Sequence, residues 1–281
     1  MTPADPTGHG RSAVPADSPG GDPALVPAGV PGRDPAVVPA GAPGRGPAVV
    51  LVDLPAGGPA QDVAAVPLLL RHGLGDARDI LRVYSPSPTA AFSRRDTLRP
   101  GYARAAAAVR EGNFLPVIRP QGGSLAAYDR GSVVVDHVHR SGSSLSDPGP
   151  RFRHFAEMHA AMLVRLGVPA RIGPVPREYC PGEYSLHAAG AKIVGSAQRV
   201  TRDGWLFSTV IQVSGAARLR AVLTPAYREL GYDFDPSTVG AAEDTAAAVT
   251  VAAVTTAVLA AYGVSGPAVT LPAVLIAGLP G

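Results

Sequence analysis

Beyond Gln61 the chain alternates between two hydrophobic rhythms, one with helical and one with strand spacing. Apolar positions within DVAAVPLLLRHG (62–73) predict a short helix, and DILRVYSPSPTAAFS (79–93) predicts a strand ending in a Ser-Pro turn. RRDTLRPGYARAAAAVREGN (94–113) reads as one helix, with Asp96 or Thr97 as N-cap and Gly112 as its stop. FLPVIRPQGGSLAAYDRGSVVVDHVH (114–139) predicts two strands around a glycine-rich turn. A longer helix follows over RFRHFAEMHAAMLVRLG (151–167), where Phe155, Met158, Met162 and Leu166 keep helical spacing. Four strands come next, over ARIGPV, EYSLHAAG, AKIVGSAQRV and GWLFSTVIQV. Helices over TPAYRELG (224–231) and AAAVTVAAVTTAVLAAYG (246–263) close the pattern. Strands and helices mixed at these lengths imply an α+β fold, a mixed central β-sheet flanked by helices.

The N-terminal segment 1–58 breaks both rhythms. Positions 22–33 and 34–45 are near copies (DPALVPAGVPGR, DPAVVPAGAPGR), and proline recurs at every fourth position from Pro19 to Pro47. Nearly half of all the prolines fall between Pro3 and Pro59. Proline at that density fixes φ and removes backbone donors, so neither a helix nor a central strand is expected. The expected organisation is an extended, polyproline-like or disordered Pro/Gly/Ala-rich repeat extension over 1–58 and a folded domain over 59–281. At the other end, the stretch from Thr245 to Gly281 carries no charged side chain. Ala and Thr dominate it, Gly263 interrupts it and Pro267 follows, so a core-packed or partner-facing helix is expected there, not a membrane span.

Composition narrows the classes. The 281 residues are 46% hydrophobic, enough for a substantial core, and the net charge of +3 is too small a basic excess to indicate nucleic acid. The opening MTPADPTGHG lacks a basic segment leading into an apolar run, so no secretory signal is expected and a cytoplasmic enzyme or binding domain remains. The single cysteine, Cys180, excludes an intrachain disulfide or a multi-thiolate zinc site. Lys192 is the one lysine among 25 Lys and Arg, and it follows that cysteine closely in sequence. Coding bias turns exposed lysines into arginines at little cost. A lysine that persists marks a place where a compact ammonium is needed.

Several motifs are absent. Lys192 is flanked by Ala191 and Ile193, which excludes a phosphate-binding GxxxxGK[ST] loop, and no GxSxG elbow occurs. His154 and His159 are five apart and miss the face of a zinc helix; His137 and His139 share a strand face but have no third ligand nearby. No metal site is expected. The run Arg119-Pro120-Gln121-Gly122-Gly123-Ser124 is more informative. Paired glycines after a strand let backbone amides approach a ligand, and Arg119 can steady an anionic or carbonyl group, although Gly-Gly also makes ordinary hairpin turns. Tyr179-Cys180-Pro181-Gly182 places a thiol on a loop, where a nearby cation would raise its thiolate fraction; a buried structural cysteine is the alternative. Two strands flanking a glycine turn would bring Lys192 back towards Cys180.

These segments carry a resemblance. RPQGGSLAAYDRG and YCPGEYSLHAAGAKIVGSAQR resemble the lipoate/octanoate transferase branch of the biotin and lipoate protein ligase superfamily, over roughly residues 65–265. LRVYSPSPTAAFSRRD is similar to the first strand of those enzymes, which lines the acyl pocket. The chain departs from the ATP-dependent ligases in having two glycines where they have three, and Tyr128-Asp129 where they have a histidine. The resemblance implies an acyltransferase that uses no cofactor. Cys180 would carry an octanoyl or lipoyl thioester and Lys192 would contact the acyl carbonyl. Arg119, Gly122, Gly123, Ser124, Gly195, Ser196 and Ala197 would shape the substrate site. The implied partners are lipoyl domains of 2-oxoacid dehydrogenase complexes as acceptors, and the glycine-cleavage H protein or acyl carrier protein as donor. Neither nucleic acid nor membrane is implied. Two alternatives stay open: an ATP-dependent lipoate-protein ligase, and a non-catalytic relative that binds an acylated carrier.

Overall fold

The computed structural model describes residues 49–52, 58–74, 77–141 and 149–264. The repeats of the N-terminal extension and the part of the uncharged stretch beyond Val264 lie outside the described residues.

Seven strands form the main sheet: β1 (Val49–Val52), β2 (Asp79–Tyr84), β6 (Ser132–Arg140), β7 (Arg171–Ile172), β8 (Leu186–Ala188), β9 (Ala191–Thr201) and β10 (Gly204–Gln212). Their spatial order is β1-β2-β6-β10-β9-β8-β7; β1 and β2 are parallel, and the other neighbours are antiparallel. A second sheet of β3 (Thr89–Phe92), β4 (Leu115–Ile118) and β5 (Ala126–Tyr128) has the order β4-β3-β5. The mixed sheet flanked by helices expected from the sequence is therefore present, and a small sheet joins it on one face.

Two helices cover the opposite face of the main sheet, α4 (Gly149–Arg165) and α6 (Val251–Ala261). There Phe155, Met162, Leu163, Val254 and Val258 pack on Leu81, Val135, Trp205 and Phe207. On the small-sheet side, α1 (Pro59–His72) lays Val66, Leu69 and Leu70 against Ile80, Val138 and Leu206. Tyr84 and Val134 of the main sheet meet Ala91, Val117 and Tyr128 of the small one. Behind the small sheet, α3 (Tyr102–Glu111) and α5 (Ala216–Leu230) bury Ala105, Val109, Leu219, Val222 and Leu223. The space between the two sheets is the one that matters for chemistry.

The structure redraws several elements. The single strand expected over 79–93 is two strands in different sheets, because Pro86 and Pro88 cannot donate to a continuous ladder. The helix expected over 94–113 is a one-turn α2 (Arg94–Thr97) followed by α3, with Pro100 between them. Its N-cap is Ser93, not Asp96 or Thr97: the Ser93 hydroxyl accepts from the Asp96 N–H, and the Asp96 carboxylate accepts from the Ser93 N–H. Helix α5 begins at Ala216, well before the predicted Thr224, and runs through Pro225, held by the apolar face that it buries. Helix α6 is shorter than expected, starting after Thr250, whose hydroxyl accepts from the Ala253 N–H. Among the described residues no helix is long and apolar enough to cross a membrane. Strand β1 falls inside the stretch expected to lack regular structure. It contains no proline and adds to the sheet only at an edge, where flanking prolines are tolerated.

Candidate active site

Cys180 sits on the loop between β7 and β8, half-buried, with a left-handed φ of 42°. Few residues other than glycine hold that conformation without support. Two long-range contacts supply it. The Cys180 N–H donates to Tyr227 Oη at 2.7 Å, and the same hydroxyl donates to the Leu125 carbonyl at 2.7 Å. Lys192 Nζ donates to the carbonyls of Cys180 at 2.8 Å and Tyr179 at 3.1 Å.

Lys192 projects from β9 and is only 1% exposed. Its ammonium lies 3.5 Å from the buried Glu178 carboxylate and 4.8 Å from the centre of the Tyr179 ring. Burial pushes its pKa down, against the opposing pull of Cys180 and Glu178. The ammonium thus donates to two carbonyls and pairs with one carboxylate, and contact with an acyl carbonyl would exchange one of these partners for the substrate. Glu178 also accepts from the Gly182 N–H at 2.9 Å and the Ser185 hydroxyl at 2.8 Å, tying both ends of the cysteine turn. Gly195 makes room for the lysine: a Cβ there would come within 3.1 Å of Lys192 Cε.

The glycine-rich turn meets the thiol from the other side. The Ser124 N–H donates to Cys180 Sγ at 3.3 Å, and Arg119 Nη2 reaches Sγ at 3.4 Å while donating to the Ser124 carbonyl at 2.8 Å. Arg95 of α2 donates to the Ser124 hydroxyl at 2.9 Å and steadies the turn. Gly123 has a φ of 100°, and a Cβ there would lie 2.7 Å from both Sγ and Arg119 Nη2, so this position requires glycine. Gly122 has open space around it and lines the groove outside the thiol. Burial pushes the Cys180 thiol up, but Arg119, Lys192 and the Ser124 N–H together hold it below the usual thiol range. A thiolate supported by two cations and an amide is an activated nucleophile.

From the thiol a cleft runs inward between the sheets. Gly195, Ala197, Val134 and Val210 line it from the main sheet, Ala126 and Tyr128 from the small one. The structure thus brings Arg119, Gly123, Ser124, Cys180, Lys192 and Gly195 together. Ser196 lines the cleft and the groove outside the thiol beside Gly195 and Ala197, and its hydroxyl lies 3.0 Å from Thr209 Oγ1 on β10. Glu178, Tyr227 and Arg95 were not singled out from the sequence. Glu178, two residues before the cysteine, was the one with a local signal. His137 and His139 both pair with Asp79 Oδ1, at 3.0 and 2.8 Å. Among the described residues no group of three or more metal-ligating side chains occurs.

The architecture that frames this thiol is the lipoate-protein ligase fold. A crystal structure of lipoate-protein ligase A bound with ATP matches 82% of this chain and 92% of its own, with a TM-score of 0.65 and 18% identity. A bi-partite lipoate protein ligase from Thermoplasma acidophilum matches 82% and 89%, with a TM-score of 0.62 and 19% identity. The chain belongs to the lipoyl protein ligase A/B catalytic domain family, which matches residues 59–263. Among curated proteins it is similar to the octanoyl-[GcvH]:protein N-octanoyltransferase of Geobacillus kaustophilus, 26% identical over 57% of this chain and 56% of that protein. The chain spans about half the length of the curated relatives it matches.

Proposed function

We propose that the protein is an octanoyltransferase of protein lipoylation that works through a Cys180 thioester. The observation that carries this reading is the thiol held among Arg119, Lys192 and the Ser124 N–H at the mouth of a cleft between two sheets. The names of the similar curated proteins support octanoyl-[GcvH] as the donor class. In the first half-reaction the Cys180 thiolate attacks the octanoyl carbonyl, and the bond from that carbon to the donor's nitrogen breaks. The donor amine leaves with a proton from solvent, and the octanoyl group remains on sulfur. Arg119 and the Ser124 N–H, freed from the thiolate as it is consumed, face the oxyanion that develops next to it. In the second half-reaction a lysine amine of a lipoyl domain attacks the thioester, thiolate leaves, and the amine's proton is lost to solvent. Burial of the acyl chain, at about 0.8 kcal/mol per methylene, supplies most of the affinity for the acyl group itself.

The test is ATP-free transfer of octanoyl from octanoylated H protein to a lipoyl domain, with octanoyl-acyl carrier protein as a parallel donor. The reading predicts transfer by the wild type and at least a hundredfold loss in Cys180→Ser. Lipoyl-domain acylation that requires ATP and free octanoate, and survives Cys180→Ser, would contradict it.

A further inference from the structure

The floor of the cleft consists of cross-strand rows of opposite character. At the level of the lysine, Gly195, Val210, Val134 and Tyr84 lie side by side across β9, β10, β6 and β2. Two residues further along comes the row Ala197, Ser208, Asp136, Arg82. That second row is linked into a polar chain by hydrogen bonds and, between Asp136 and Arg82, by an ion pair. Gln121 Nε2 donates to Ser208 Oγ at 2.7 Å, and Ser208 Oγ donates to Asp136 Oδ1 at 2.5 Å. Asp136 Oδ2 lies 3.7 Å from Arg82 Nη1, which also donates to the Asp62 carbonyl at 2.9 Å, and Arg82 pairs with the Asp62 carboxylate. Gln121, Asp136, Arg82 and Asp62 are all buried. The chain therefore spans the cleft from the glycine-rich turn above Ser208 to helix α1 above Arg82.

Beyond this row lies an outer groove between α1 and β4, walled on its apolar side by Leu206 of β10 with Val63, Pro67, Leu70, Val117 and Ile118, and lined also by Arg71, Arg94, Arg199 and Asp203. Val63 and Arg119 line both spaces, so the cleft and the groove are neighbours with the polar row between them. An apolar chain that passed the row would find the apolar side of that groove to cover. The row itself is thus the barrier.

The row limits the length of chain that the cleft can hold. At ~3.3 Å per residue it lies about 7 Å beyond the row of Gly195 and Val210. An acyl chain long enough to cross that distance would press against Ser208 and Asp136, whose hydrogen bonds and ion pair resist displacement by hydrocarbon.

We propose that the Gln121–Ser208–Asp136–Arg82–Asp62 chain is a polar partition that sets acyl chain length by closing the thiol cleft from the outer groove. This rests on the acyl-transfer reading above. Gln121 and Asp136 are its specificity-determining residues: Gln121 closes the top of the partition and Asp136 its middle.

The experiment loads Cys180 from N-acetylcysteamine thioesters of hexanoic, octanoic, decanoic and dodecanoic acids, read by intact-protein mass, for wild type, Gln121→Ala and Asp136→Val. Gln121→Ala is included because it leaves the buried ion pairs intact. Thermal shifts by free octanoic and dodecanoic acid are measured on the same proteins. The wild type is expected to prefer octanoyl, and the dodecanoyl-to-octanoyl ratio to rise at least tenfold in both variants. A wild type that takes dodecanoyl as readily as octanoyl, or variants that keep the wild-type profile, would overturn the partition. If no thioester loads any protein, the transfer reading fails, and the free-acid shifts still decide the partition: dodecanoic acid must stabilise the variants more than the wild type, or the inference falls.

Discussion

Cys180 holds its left-handed backbone at a cost on the order of 1 kcal/mol, offset by bonds on both sides of its peptide units from Tyr227 and Lys192. The strain aims the thiol at Arg119 and the Ser124 amide, and the same contacts lower its pKa. Against burial, which raises it, Arg119 makes the largest lowering contribution. Removing it in Arg119→Ala should move the thiol upward, so that cysteine acylation falls at neutral pH and recovers as pH rises. The pH profile of iodoacetamide alkylation checks this without any substrate. A profile that stays at the wild-type midpoint would remove Arg119 from thiolate support. The thiol, the lysine, Arg119 and the paired glycines were legible in the sequence because each lies in a short motif with unusual chemistry. Glu178, Tyr227 and Asp136 were not, because their roles depend on partners elsewhere in the fold. Tyr227 reaches back to Cys180 from helix α5, and Asp136 on β6 meets Ser208 on β10.

At the level of elements, proline decided two of the differences between pattern and structure. Pro86 and Pro88 divide one apparent strand between two sheets, and Pro100 divides one apparent helix. Alternation within β9 and β10 was readable as strand. Which strand lay opposite which was not, so neither the cleft's apolar row nor its polar row could be seen. Strand β1 hides between Pro47 and Pro55, and it pairs Val49–Val52 with Ile80–Val83. Truncations separate it from the repeats. Removal of residues 1–48 is expected to leave the melting temperature unchanged, whereas removal of 1–58 lowers it by several degrees, because β2 loses its edge partner. Equal melting temperatures for the two truncations would show that β1 adds nothing to the sheet.

Across the whole molecule, two sheets facing one another create a cleft whose inner wall carries charge. Burial raises the Asp136 carboxyl to about 6, against the opposing effects of Arg82 and Ser208. A carboxyl whose folded pKa lies above its unfolded one stabilises the fold fully below about pH 4 and loses that contribution as pH rises through about 6. At pH 7.5 the difference is on the order of 3 kcal/mol, at about 1.4 kcal/mol per pH unit. Asp136→Asn should therefore match the wild type in urea unfolding near pH 4 and exceed it above pH 7. A stability difference that does not change with pH would contradict this.

The central claim is that Cys180 carries the acyl group. It is tested most directly by intact-protein mass after mixing the protein with octanoylated H protein, without ATP, for wild type and Cys180→Ser. The account predicts one octanoyl adduct on the wild type, removed by hydroxylamine and absent from the variant. An unmodified wild type that still acylates the lipoyl domain, or an adduct that persists in Cys180→Ser, would contradict it.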